Sequence, residues 1–122
     1  MWQTAPTQHF ARFVRRGMSF TTALAVNVLT QNAWNFVGAS YNYNTGEAKL
    51  WLNGNVVQTM NIGVTTIATQ YEARMGARIG DGRYYRGMIT CMQVYNKELS
   101  VAEVQVAEAK CKIGEGKQSF CS

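Results

Sequence analysis

The segment Trp34–Gly54 reads W-N-F-V-G-A-S-Y-N-Y-N-T-G-E-A-K-L-W-L-N-G, and no other part of this 122-residue chain says more about its fold. The stretch Ala33–Tyr43, which begins one residue before this segment, carries apolar or aromatic side chains on both faces. This predicts a strand covered on both sides. The turn Asn44-Thr45-Gly46 then reverses the chain, because Gly46 supplies the positive φ that a tight hairpin needs. The segment therefore predicts an antiparallel hairpin.

The second half of this segment alternates as a half-buried strand does. Ala48, Leu50 and Leu52 are predicted to face a core. The opposite face is predicted to carry Glu47, Lys49, Trp51 and Asn53. The dipeptide Asn53-Gly54 is the strongest short-range hairpin signal in the chain, and it leads into a strand over Asn55–Met60. Consecutive hairpins predict an antiparallel sheet.

Other segments have the same periodicity. Further strands are predicted over His9–Val14, Ser19–Leu29, about Gln70–Ile79 and Tyr84–Tyr95, with turns at Gly17 and at Gly80-Asp81-Gly82. One helix is predicted, because Ser100 and Glu103 form a capping box. Val101 and Val104 are expected on the apolar side of that helix. The pattern predicts an all-β, antiparallel β-sandwich with one short C-terminal helix.

Composition narrows the class of protein. The chain is 47% hydrophobic, enough for one core, and it is taken as a single domain over residues 1–122 with a polar tail at 112–122. The formal net charge of +5 is spread along the chain and forms no basic run with stacking aromatics, so nucleic acid is not an expected partner. No apolar run of about 18 residues occurs, so no membrane span is expected.

The three cysteines favour a disulfide over a metal site. They form no CxxC pair, and His9 is the only histidine, so zinc is disfavoured. Cys91–Cys111 is the favoured bridge, Cys111–Cys121 is the competing pairing, and three reduced thiols in a cytosolic protein are the remaining alternative. A bridge would contribute about 3 kcal/mol and would imply an oxidising, secretory compartment.

Two blocks of the chain resemble the laminin-G-like and pentraxin-like domains of the concanavalin A-like lectin/glucanase fold. The first block matches at Trp34, Val37, Tyr41, Gly46, Leu50, Trp51, Asn53 and Gly54. The second, Ile79–Val104, matches at Gly80, Gly87, Ile89, Val94, Tyr95, Leu99, Ser100 and Glu103. The resemblance is strongest over residues 34–110 and implies a jelly-roll sandwich in which the two blocks face each other, with Trp34 and Tyr41 as anchors between the sheets.

The same resemblance implies that early strands of both sheets are missing, so that a truncated domain would expose an edge and self-associate. Pentraxin-like domains hold calcium in an acid-rich loop before the last strand. Here that loop has one carboxylate, Asp81, which leaves at most a single weak calcium site and no expected cofactor otherwise. Glucanases of this fold use paired carboxylates on one strand, and the seven acidic residues here form no such pair, so no enzymatic activity is expected.

These observations predict an extracellular, secreted recognition or adhesion module, lectin-like, that binds a glycan or a matrix or cell-surface protein through loops at the rim of the sandwich. Tyrosine can stack on a sugar ring while its hydroxyl donates a hydrogen bond. The predicted binding residues are Tyr43, Asn44, Asp81, Arg83, Tyr84 and Tyr85. The alternative is a purely structural or assembly domain of a larger secreted protein, with no ligand of its own and an exposed apolar face near Val56–Val64.

Overall fold

The computed structural model describes residues 5–19, 21–70, 80, 82 and 85–113. Among these residues the chain forms strands and one C-terminal helix. Their bounds are β1 Gln8–Val14, β2 Thr21–Asn27, β3 Val37–Tyr41, β4 Glu47–Leu52, β5 Asn55–Asn61 and α1 Val101–Ile113. No helix among them is long and apolar enough to cross a membrane.

The strands form two antiparallel sheets. β1 pairs with β2, with Gln8 opposite Asn27 and Val14 opposite Thr21. The other sheet has the order β3-β4-β5. Its strands are joined by the two turns expected from their residues: Gly46 has a φ of 74°, and Asn53 and Gly54 have φ values of 49° and 79°. Two successive positive φ values define a type I′ turn, which fits the right-handed twist of the flanking strands.

The hydrophobic core joins the two sheets. Its buried side chains are Ala11 and Phe13 of β1, Leu24 of β2, Ala48 and Leu50 of β4, and Ile62. The ring of Tyr41 lies 6.3 Å from that of Phe13 between ring centroids, so Tyr41 links the sheets as expected. Antiparallel sheets with a C-terminal helix are thus confirmed, while closure into a complete jelly roll stays a prediction.

The exposure of the two tryptophans in the hairpin segment differs from what their sequence positions predict. Trp34 was predicted as an anchor between the sheets, and this is wrong, because the residue precedes β3 and is 57% exposed. Trp51 was placed on the face away from the core, yet it is only 3% exposed. Its indole Nε1 donates to Ser40 Oγ at 2.9 Å, and its side chain packs against Gly38 on the neighbouring strand.

The predicted last strand, Tyr84–Tyr95, is also wrong over its described part. Residues 85–95 have no regular structure apart from one bridge residue, Gln93, and Met88, Ile89 and Val94 are exposed. The layer across the core from β4 is the β1–β2 hairpin, and none of the described residues 85–100 belongs to a strand. The strand expected over about Gln70–Ile79 lies outside the described residues, except for Gln70, which is not in a strand.

The helix begins as the capping box predicts. Ser100 N donates to Glu103 Oε2 at 2.8 Å, and Glu103 N donates to Ser100 Oγ at 3.3 Å. Hydrogen bonding from Lys97 and from the Ser100 backbone lowers the pKa of Glu103 to about 2. Val104 is buried as predicted, whereas Val101 is exposed.

A disulfide links the C-terminal part of α1 to the segment that precedes the helix. The disulfide Cys91–Cys111 is present, with the two Cα atoms 5.6 Å apart, which confirms the favoured pairing. Gln93 Nε2 also donates to the Ala107 carbonyl oxygen at 2.9 Å. At the β4–β5 turn the helix comes so close that a Cβ on Gly54 would lie 2.8 Å from Glu108 Oε2.

Candidate functional site

The turn between β3 and β4 is held in one shape by the side chain of Asn42. Its Oδ1 accepts hydrogen bonds from the backbone N of Asn44 at 2.9 Å and of Thr45 at 3.2 Å. The backbone carbonyl of Asn42 also accepts from Gly46 N at 2.9 Å. An asparagine that bonds the backbone two residues on makes an Asx turn, which explains why the chain bends at this residue.

The same asparagine fastens the turn to the segment that precedes α1. Asn42 Nδ2 donates to Glu98 Oε2 at 2.6 Å, while Lys49 Nζ lies 2.9 Å from Glu98 Oε1 and 2.7 Å from Glu47 Oε1. The hydrogen bonds that Lys49 donates to Glu47 and then to Glu98 raise its pKa. The turn is therefore braced from both sides, and Lys49 remains charged at neutral pH.

Two predicted binding residues, Tyr43 and Asn44, lie on this braced turn. Tyr43 is 60% exposed, and Asn44 is exposed as well. Both side chains therefore face solvent.

Of the other predicted binding residues, Tyr85 alone lies within the described part of the chain. Tyr85 is half exposed, and its hydroxyl lies 2.7 Å from the position that a Cβ on Gly87 would occupy, so its side chain folds over that glycine. No hydrogen bond among the described residues joins Tyr85 to the β3–β4 turn. Asp81, Arg83 and Tyr84 lie outside the described residues, and so does the carboxylate of the predicted calcium site. The described part of the chain holds no group of three metal-ligating side chains.

A second rigid loop, Thr30–Phe36, was missed by sequence reasoning. Asn35 closes it: its Oδ1 accepts from Thr30 N at 3.1 Å, and its Nδ2 donates to the carbonyl oxygens of Thr30 and Ala33, both at 2.9 Å. Phe36 N donates to Asn53 Oδ1 at 3.0 Å, which joins the loop to the β4–β5 turn. The loop carries Trp34. The amide-rich run N-A-W-N before β3 was the available signal for it.

His9 is buried in the interior and has a structural role. It is 3% exposed, and Nε2–H donates to the Gly38 carbonyl oxygen at 2.9 Å, which fastens β1 to β3 across the core. Burial lowers its pKa more than its backbone hydrogen bonds raise it.

These features define a small antiparallel β-domain with a disulfide-held helix and aromatic side chains displayed on braced loops. The chain belongs to the concanavalin A-like lectin/glucanases superfamily, whose laminin G type model matches residues 3–105. That match includes β1 and β2, which the sequence resemblance left out. Laminin G-like domains of this superfamily are typically non-enzymatic.

A solved structure supports the fold. The chain is similar to the crystal structure of an S-layer domain-containing protein, residues 221–444, from Clostridium thermocellum ATCC 27405, with a TM-score of 0.54 and 16% identity. The likeness covers 83% of this chain and 51% of the other, so the chain spans about half the length of that structure. Among curated proteins, none matches.

Proposed function

We propose that this domain is an extracellular, non-enzymatic recognition module that binds a glycan or a matrix or cell-surface protein through loops at the rim of its sheets. The observation that carries the proposal is the β3–β4 turn, where Tyr43 is 60% exposed. The side chain of Asn42 bonds the backbone of this turn through Oδ1 and Glu98 through Nδ2. A rigid aromatic side chain binds with little loss of conformational entropy, because its turn is ordered before the partner arrives.

The family and the disulfide support an extracellular site of action. Disulfides persist in oxidising compartments, and Cys91–Cys111 ties the helix to the segment before it. Tyr85 and Arg86 are exposed, and their groups suit hydroxyl, sulfate or carboxylate partners. The predicted binding residues Asp81, Arg83 and Tyr84 carry groups of the same kinds. The proposal includes calcium only as a single ion at Asp81, which would add to the affinity for the partner.

The test is binding of the intact domain to a glycan array and to heparin, together with a matrix-protein panel. We expect Tyr43→Ala to weaken binding by about tenfold, as for an aromatic hot spot. Val106→Ala is a matched control, because Val106 is similarly exposed but lies on α1. Absence of any retention or array signal for the wild-type domain, or equal binding by Tyr43→Ala, would remove the recognition role.

A structural role in assembly is the second candidate. Within the described part of the chain β5 is the last strand of its sheet. It carries exposed Val56 and Met60, and exposed Val64 follows it. Edge strands with apolar side chains pair readily with other chains. The fold neighbour is an S-layer domain-containing protein, which is compatible with such a role. Sedimentation over a range of concentrations tests it: association that Met60→Lys abolishes supports assembly, whereas a monomer at all concentrations opposes it.

A further inference from the structure

Glu98, which bonds Asn42 of the β3–β4 turn, lies in a segment with little regular structure of its own. Residues 85–100 contain neither helix nor strand apart from the bridge residue Gln93. Within the described part of the chain, no backbone hydrogen bond joins residues 86–99 to another backbone group. A segment of this kind opens at a low cost in free energy unless side chains hold it in place.

The ties that hold this segment to α1 are a covalent bond and an amide contact. Cys91 is bonded to Cys111, and Gln93 Nε2 donates to the Ala107 carbonyl oxygen at 2.9 Å. The disulfide closes a loop of 20 residues, and Glu98 lies inside that loop. Closing a loop restricts the residues within it, so the disulfide limits the positions that Glu98 can take.

The contact of Glu98 with the turn passes through one side chain, that of Asn42. Asn42 Nδ2 donates to Glu98 Oε2 at 2.6 Å, and Asn42 Oδ1 accepts from the backbone N of Asn44 and Thr45. One amide group therefore joins the disulfide-closed loop to the backbone on either side of Tyr43. A change in the freedom of Glu98 reaches the turn directly, with no intervening residue.

The disulfide has features of a bond that a dithiol can reduce. Cys91 and Cys111 are only partly buried, and Gln93 Nε2 lies 2.9 Å from Cys111 Sγ, where it can donate to a thiolate. A thiolate of the reductant attacks Cys91 Sγ and expels Cys111 Sγ as a thiolate. The second thiol of the reductant then displaces Cys91. The two cysteines gain two electrons and two protons in total, and the reductant leaves as its own disulfide.

From these observations we infer that Cys91–Cys111 is a redox-sensitive control on the shape of the Tyr43 turn, and that Glu98 is the positioning residue that connects the two. In the oxidised chain the closed loop holds Glu98 against Asn42, and the turn is ordered. In the reduced chain Glu98 gains freedom, the contact opens for part of the time, and Tyr43 loses its fixed position. As a control of partner binding this inference rests on the proposed function, whereas the coupling itself is measured without a partner.

The test is amide hydrogen exchange of the whole chain, followed by NMR with and without dithiothreitol. A Cys121→Ser background prevents exchange with the third cysteine. The amides of Asn44 and Thr45 report on the turn, and the Thr30 amide is the matched control, because Asn35 holds it in the same way with no contact to Glu98. We expect reduction to speed exchange at the turn by about fivefold, because a hydrogen bond to a carboxylate is lost for part of the time. Exchange at Thr30 should stay unchanged.

Two variants show whether the effect passes through Glu98. Glu98→Ala removes the contact but leaves the bonds within the turn, so its exchange at the turn should not respond to reduction. The double variant Asn42→Asp/Glu98→Gln exchanges donor and acceptor: the new amide nitrogen donates to the new carboxylate, and the amide oxygen still accepts from Lys49. This double variant should respond to reduction as the wild type does.

A disulfide-free variant and a fold check complete the design. Cys91→Ser/Cys111→Ser should exchange at the reduced rate whether or not dithiothreitol is present. Near-ultraviolet circular dichroism checks that each sample is folded. The inference is overturned by unchanged exchange at Asn44 and Thr45 after reduction, by equal acceleration at Thr30, or by a Glu98→Ala variant that responds as the wild type does.

The binding assays separate this inference from the proposed function. Coupling in a domain that binds no glycan or matrix protein would remove the recognition role and keep the redox control of the turn. A domain that binds a partner through Tyr43 with no coupling would do the reverse. Where both hold, reduction should weaken binding several-fold in the wild type and leave the affinity of Glu98→Ala unchanged.

Discussion

Alanine at Gly46 should be far more destabilising than its place in a surface turn suggests. A Cβ on this residue would lie 2.5 Å from the carbonyl carbon of Gly63, 2.8 Å from its Cα and 2.8 Å from Val64 N. All three are backbone atoms, so no side-chain rotation relieves the clash. The two segments are also fastened together, because Ile62 N donates to the Gly46 carbonyl oxygen at 2.8 Å.

The expected cost has two parts. Holding an alanine at a φ of +74° costs about 1 kcal/mol. Moving one backbone segment away from another costs about 1–3 kcal/mol more, as overpacking does in a core, and weakens the bond from Ile62. The sum is about 2–4 kcal/mol, a large share of the roughly 5–15 kcal/mol that stabilises a typical domain.

Gly17→Ala is the matched control. Gly17 has nearly the same φ, +70°, but nothing lies within 4 Å of the position its Cβ would take. Its variant should lose only the conformational part, about 1 kcal/mol. Urea unfolding followed by tryptophan fluorescence measures both, with the m-value as a check that the unfolded state is unchanged. Equal losses for the two variants would refute the close approach of Gly46 to Gly63.

Three further predictions concern the histidine, the cap and the bridge. Because burial lowers the pKa of His9 from 6.5, protons bind the unfolded chain more tightly, and the free energy of unfolding should fall as pH drops below about 6.5. Denaturation midpoints between about pH 8 and pH 5 should show this slope in the wild type and a smaller one in His9→Gln. Ser100→Ala should cost about 1 kcal/mol and Ser100→Asp much less, by thermal melting, since aspartate also caps. Reduction of Cys91–Cys111, which spans 20 residues, should cost about 3 kcal/mol, and the double variant Cys91→Ala/Cys111→Ala should melt alike with or without reductant.

Features that depend on neighbouring residues were predictable from the sequence. The turns at Gly46 and Asn53-Gly54 need a positive φ, and few residues other than glycine and asparagine adopt it. The start of α1 follows from the reciprocal bonds of Ser100 and Glu103, three residues apart. In each case the residues that determine the structure are adjacent in the chain.

Features that depend on a distant partner were not predictable in the same way. The alternation in Tyr84–Tyr95 shows that this segment could be a strand, but a strand also requires a neighbour to pair with, and the alternation does not identify one. Likewise, the hydrogen bond that fixes the β3–β4 turn joins Asn42 to Glu98, 56 positions apart, and no local sequence pattern indicates it. Tyr43 was predicted as a binding residue, whereas the contacts that order its turn were not predicted.

The burial of Trp51 and the exposure of Trp34 follow from the register of one hairpin. Because the turn at Gly46 sets that register, Gly38 stands opposite Trp51, and the indole packs against this glycine. Ser40, two residues further along β3, then reaches the indole N–H.

Trp34 lies beyond the first paired residue, Val37, and so has no strand opposite it to cover its ring. Tyr43 lies beyond the last, Tyr41, for the same reason. Pairing therefore buries the aromatic residue within the hairpin and leaves the two outside it on loops. Asparagine side chains order both loops, so each end of β3 carries an exposed aromatic residue on a loop whose backbone is hydrogen-bonded in place.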